Sequence, residues 1–129
     1  MTEPRFFSVE DVIEIHADQI ERYGGSLGVQ DVELLRSAIG MPEAGFGERY
    51  LHANLFEMTS AYLYHIVQHH PFIDCNKRTG TMAAFVFLKL NGLTLDADES
   101  IFEPLVLKAA QGQVDKPAIA EFTRKHSCQ

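Results

Sequence analysis

Nine consecutive residues, Met82 to Leu90, hold a single charge, Lys89. Wound as a helix, Met82, Ala83, Ala84, Phe85, Val86, Phe87, Leu88 and Leu90 cover nearly the whole circumference and leave no polar face. A helix of that kind belongs in the middle of a bundle, because burying one stripe would leave the rest in water. It falls far short of the ~20 apolar residues that a membrane span needs. The chain has 129 residues, enough for one core and too few for two ordinary domains. The expectation is therefore a single domain over residues 1–129, folded around this helix.

The flanking sequence supplies the surround. Ser8-Val9-Glu10-Asp11 reads as a capping-box variant, followed by Val12, Ile13, His16 and Ile20 on one helical face. That helix ends at Tyr23-Gly24-Gly25, and Ser26-Leu27-Gly28 continues the turn. A shorter helix is expected from about Gln30 to Ile39, with Val32, Leu35 and Ile39 apolar, Gly40 as its stop and Pro42 behind it. Met41 to Tyr50, punctuated by Pro42, Gly45 and Gly47, reads as an exposed loop, and Pro42–Tyr50 as a candidate flap. A long helix from about Asn54 to His69 turns Leu55, Met58, Ala61, Tyr62, His65 and Ile66 inward. His70-Pro71 ends it, since the residue before proline is pushed out of the α region. The central helix starts near Lys77 and stops at Asn91-Gly92, with Leu93 to Asp96 as a short extended link. Two helices follow, about Glu99 to Gln111 and Lys116 to His126, the second with Asp115 as cap and Pro117 in its first turn. Repeats and alternating strand patterns are absent, so the predicted class is all-α.

Eleven Lys+Arg against eighteen Asp+Glu give a formal net charge of −7, and no Lys/Arg run occurs. This argues against a nucleic-acid or anionic-membrane partner, both of which are met by basic patches. A phosphate site survives the argument, because a few local donors suffice. Two cysteines, Cys75 and Cys128, make neither a disulfide framework nor a C-x-x-C pair. Met1-Thr2-Glu3-Pro4-Arg5 leads into an amphipathic segment rather than a signal peptide, so a cytoplasmic location is expected.

One stretch carries chemistry: His70-Pro71-Phe72-Ile73-Asp74-Cys75-Asn76-Lys77-Arg78-Thr79. It opens directly onto the central helix, whose first amides are free and whose dipole favours an anion. Lys77 adds a point charge and Arg78 a fork that fits phosphate oxygens. Asp74 is a hard oxygen ligand of the kind Mg²⁺ takes alongside substrate phosphates. His70 brings an imidazole, the side-chain type best suited to accept a proton from a hydroxyl. Together these suit transfer from a nucleoside triphosphate to a hydroxyl group. The same residues also suit a plain, solvated helix entrance with Asp74 or Asn76 as its cap.

Other motifs fail. Cys75-Asn76-Lys77-Arg78-Thr79-Gly80 is not a P-loop, and a Cys-x₅-Arg site on Cys75 would need arginine where Thr81 stands. A Cys75–His70 nucleophilic pair lacks a third group to orient it. His65 and His69 are spaced i, i+4, but Ile66 stands where a zinc-protease helix has glutamate. One of that pair is expected in the core and the other hydrogen-bonded at the helix end.

The string from His70 to Arg78 resembles the H-x-F-x-D-x-N-K-R signature of the Doc (death-on-curing) branch of the Fic/Doc superfamily. Arg22-Tyr23-Gly24-Gly25, Leu34-Leu35-x-x-Ala38 with Pro42, and Phe85-x-x-Leu88-x-x-Asn91-Gly92 are also similar, so the likeness runs from about Phe6 to His126. It implies an all-helical Fic fold. It also implies His70 as the base, Phe72 as the aromatic that anchors the loop, Asp74 as the Mg²⁺ carboxylate, and Asn76, Lys77 and Arg78 as the phosphate-contacting run.

Lys77 is the branch point. Fic adenylyltransferases have glycine there and a second arginine at the position of Thr81. Lysine fills the space that glycine leaves open, and in the Doc branch this goes with an inverted ATP that gives up its γ-phosphate. The resemblance thus implies a toxin that phosphorylates a threonine of elongation factor Tu and so blocks protein synthesis. Its partner would be a Phd-like antitoxin whose C-terminal segment folds onto it. AMP transfer to a protein hydroxyl is the alternative enzyme, and a catalytically inactive binding module the non-enzymatic one. Cys75 stands where glycine or alanine is usual, which would make the loop oxidation-sensitive. The Ser/Thr-x-x-x-Glu-Gly/Asn inhibitory motif of self-restrained Fic proteins occurs nowhere in the chain.

Overall fold

Side chains close the first turn of most of the helices. The computed structural model describes residues 3–46 and 49–129 and contains six α-helices among them. In α1 (Val9–Tyr23), Ser8 and Asp11 exchange side chain-to-amide bonds at 3.1 and 2.8 Å, completing the capping box. Asp31 caps α2 (Val32–Gly40), Asn54 caps α3 (Leu55–His69) and Asp115 caps α6 (Lys116–Lys125). Helix α4 (Asn76–Leu90) differs: Cys75 precedes it in the left-handed region and offers no side-chain cap. Its other end is a Schellman turn, with Gly92 at φ +88° and the Leu93 amide donating to Leu88 at 2.9 Å. Helix α5 spans Glu99–Ala110.

The apolar helix is α4, and it shares the centre with α3. Tyr62 and Ile66 of α3 join Ala83 and Phe87 of α4 in one cluster, closed by Phe7, Val12, Leu35 and Ile39 from the α1–α2 side. Leu63 and Val67 join Ala84 and Leu88 in a second, closed by Phe102, Val106 and Ile119 from α5 and α6. Two helices, each presenting adjacent residues to opposite sides, make the wall on which everything else packs. Helix α3 touches α2, α4, α5 and α6, and α4 touches α1, α3 and α5. Leu90, by contrast, is largely exposed at the end of α4.

Several boundary expectations need correction. Gly40 is the last helical residue of α2 rather than a left-handed stop, and Met41 caps the helix in right-handed geometry. On α1 Ile13 is exposed and Gln19 takes the buried place; on α2 Val32 is exposed and Ala38 is buried. The segment read as a loop forms an antiparallel pair, β1 (Gly45–Phe46) with β2 (Arg49–Tyr50), and Pro42 at its root is buried. Gly47 lies outside the described residues, as do Met1 and Thr2. The extended link supplies β3 (Thr94–Leu95), which pairs with β4 (Ser127–Cys128). These strands are two residues long, too short to show alternation in a sequence. No helix is long and apolar enough to cross a membrane among the described residues.

Candidate active site

The loop between α3 and α4 is held in shape by two left-handed residues. His70 ends α3 at φ 50°, ψ 57°, and Cys75 precedes α4 at φ 63°, ψ 31°. A non-glycine residue there costs about 1–2 kcal/mol, so something must hold it. The segment after α1 does so. Pro71 accepts from the amides of Gln30 (2.8 Å) and Asp31 (3.2 Å), the Ile73 amide donates to Gly28 (3.0 Å), and Val29 bridges to Phe72.

Within the loop, Phe72 is buried and Asn76 grips it by both main-chain groups. The Phe72 amide donates to Asn76 Oδ1 at 2.9 Å, and Asn76 Nδ2 donates to the Phe72 carbonyl at 3.0 Å. The side chain expected to touch phosphate is therefore committed to the loop itself. What Asn76 offers an anion is its main-chain N–H, which with those of Lys77 and Arg78 belongs to the first turn of α4. Asp74 is not a helix cap. Its Oδ2 accepts from the Ser26 amide at 3.1 Å and its Oδ1 from the Cys75 amide at 2.8 Å. The Ser26 bond, then the Cys75 bond, hold this exposed carboxyl below the usual range, with Arg78 adding to the effect.

Arg78 is half-buried. It donates from Nη2 to the Gly24 carbonyl at 2.6 Å, touches Cys75 Sγ and lies 5.8 Å from the centre of the Tyr23 ring. Lys77 and His70 are exposed. A cavity of about 820 Å³ opens beside Lys77 and Arg78, floored by Phe85, Phe102 and Val106 and faced by Glu103. The structure thus brings five predicted residues, Phe72, Asp74, Asn76, Lys77 and Arg78, to one helix start with His70 opening the loop that leads there. It adds the Gly24–Ser26 turn, which the sequence shows as a turn and not as part of the site. Asp74 fits a hard divalent cation: it is ionised and exposed, and each oxygen has accepted one amide, leaving lone pairs free. No group of three or more His, Cys, Asp or Glu is arranged for a metal among the described residues, so any ion here would depend on substrate oxygens or water.

The histidine pair of α3 lies outside this loop. His65, not a helix-end residue, makes the hydrogen bond: Lys116 Nζ lies 3.0 Å from its Nε2, and His69 meets it ring to ring at 5.3 Å.

An all-α bundle in which a left-handed loop delivers a histidine, a carboxylate and a helix start to one place defines a class. The chain belongs to the Fic/DOC family, whose model matches residues 6–88. Its Doc branch is where its relatives lie. The chain is 32% identical over 121 residues to "Protein kinase doc" of Escherichia phage P1, covering 94% of each chain. It is 34% identical over 100 residues to "Toxin Doc" of Mycolicibacterium smegmatis, covering 76% of this chain and 77% of that one.

Proposed function

We propose that this chain is a toxin that transfers the γ-phosphate of ATP to a threonine hydroxyl of a translation factor of the elongation factor Tu type, and so inhibits protein synthesis. The observation that carries the reading is Lys77: an exposed lysine as the second residue of α4, in the same first turn as the amides that would receive phosphate. Those amides and the Arg78 guanidinium bind and orient the phosphates. His70 takes the hydroxyl proton as the new O–P bond forms and the bond to the ADP oxygen breaks. Mg²⁺, held by Asp74 together with phosphate oxygens, would neutralise charge building on the leaving group. Relatives named as a protein kinase and as a toxin support both halves of the proposal.

The test is incubation with elongation factor Tu, Mg²⁺ and ATP labelled on either the α- or the γ-phosphate. Label is expected on the factor only from the γ position; transfer from the α position alone would replace the kinase with AMP transfer. His70→Ala and Asp74→Ala are each expected to lower transfer about 100-fold or more. Unchanged toxicity in cells expressing both variants would favour a binding module.

We assign the cavity beside Lys77 and Arg78 to the C-terminal segment of a Phd-like antitoxin, since the chain carries no inhibitory motif of its own. Its apolar floor fits one face of a helix, and Lys77 and Arg78, in a lining that also holds Glu99 and Glu103, offer cations to a carboxylate of the partner. Leu107→Glu, at an exposed position on the cavity wall, should abolish rescue by co-expressed antitoxin while toxicity persists.

A further inference from the structure

Beneath the loop, α1 contributes a histidine that the site described so far does not use. The His16 ring is 2% exposed and lies flat on Phe72, centroids 3.9 Å and planes 11° apart. Its Nδ1 is 3.0 Å from the hydroxyl of Thr79, itself fully buried. Phe72 belongs to the loop, and Thr79 follows Arg78 directly on α4. One imidazole therefore spans the turn that separates Asp74 from Arg78.

The hydrogen bonding also sets the ring's state. Nε2 is buried without a partner among the described residues. An orphaned acceptor is commoner in interiors than an orphaned N–H, which places the proton on Nδ1 and makes Thr79 the acceptor. Burial holds the ring neutral; Asp74 favours the cation and Arg78 opposes it. A phenyl ring here would stack on Phe72 but slide freely, and an amide would bond Thr79 without a face to stack. Imidazole does both.

We propose that His16 is the positioning residue of the loop, clamping Phe72 to Thr79 and thereby fixing the spacing between Asp74 and Arg78. It touches no reacting atom. Its kinetic consequence rests on the phosphotransfer reading above; its effect on the loop does not.

The test pairs His16→Phe, which keeps the stack and removes the donor, with Thr79→Val, which keeps the shape and removes the acceptor. The amides of Phe72, Ile73 and Cys75 are hydrogen-bonded in the intact loop, so their hydrogen exchange reports its closure. Either variant should speed that exchange about tenfold and leave α5 and α6 protected. The double variant should add nothing, because both changes break one bond. The KM for Mg-ATP should rise about tenfold with the KM for the protein acceptor unchanged, a split that loss of folded protein does not produce. Unchanged loop exchange in both variants, or effects that add in the double, would overturn the proposal. Expected exchange behaviour in a protein that transfers no phosphate would sink the kinase reading and leave the clamp standing.

Discussion

Gly25 sits at φ +127°, and a Cβ there would lie 2.7 Å from Cys75 Sγ and 3.0 Å from Asp74 Oδ2. Backbone and space both demand glycine, and the space is that of the candidate metal carboxylate. Gly25→Ala is therefore expected to cost roughly 2 kcal/mol in urea unfolding and to lower transfer at least as severely as it displaces Asp74. Gly24, at φ +86°, ψ 169° with nothing among the described residues within 4 Å of an added Cβ, should cost about 1–3 kcal/mol when changed to Ala, from its backbone alone, with the smaller loss of activity. A Gly25→Ala protein as active as Gly24→Ala would separate the turn from the site. At this scale the sequence exposes only what is contiguous. His70, Phe72, Asp74, Lys77 and Arg78 are legible because they share one loop and one helix start. Ser26, whose amide does most to hold the Asp74 carboxyl down, lies 48 positions away and contributes main chain, so no side chain marks it. Asn76 was open to misreading because its type says amide donor, while its role depends on Phe72 being four residues back and buried.

Helix starts were legible because capping is local: Ser8, Asn54 and Asp115 each satisfy an amide three residues on. Helix faces were less so. Ile13 and Val32 are apolar yet exposed, because a neighbour sets which side of a helix is covered. The contact between the two central helices depends on a residue whose packing role the sequence does not display. Gly80 on α4 faces α3, where an added Cβ would come within 2.6 Å of Val67 Cγ1 and 3.4 Å of the Leu63 carbonyl oxygen. Alanine would gain about 1 kcal/mol of helix propensity and lose about 1–3 kcal/mol to overpacking in a core with no slack. Gly80→Ala is expected to lower the urea midpoint, and Val67→Ala in the same chain to recover much of the loss. If Gly80→Ala instead raises the midpoint, α4 is free to move away from α3. Because α4 opens on the candidate active-site loop, a shift at Gly80 would also move Arg78, half a turn earlier.

Charge across the whole chain says that the surface is acidic, and structure says where scarce cations are placed inside it. Two of the eleven basic residues open α4; a third, Lys116, binds α6 to the rest of the molecule. Its Nζ lies 3.0 Å from His65 Nε2 on α3 and 3.4 Å from His52 Nε2, just beyond β2. An ammonium has only donors, so both imidazoles must meet it as neutral acceptors. Burial, then Lys116 and the neighbouring His69 and His52, push His65 down to about 4 from its ordinary 6.5. His52 is lowered too, by burial and Lys116, with Glu57 pulling the other way. The sign follows from which state binds the proton first. Unfolded His65 protonates near pH 6.5 and the folded residue only near 4, so stability is constant above that range, falls as pH drops from 6.5 to 4, and levels off below. The shift corresponds to at most about 3 kcal/mol for His65. Urea unfolding at pH 7.5, 5.5 and 4 should show that loss in the wild type. His65→Gln, which keeps an acceptor for Lys116 but cannot titrate, should lose markedly less. Equal losses in the two proteins would mean that His65 is not held neutral, and that α6 is anchored by its apolar contacts alone.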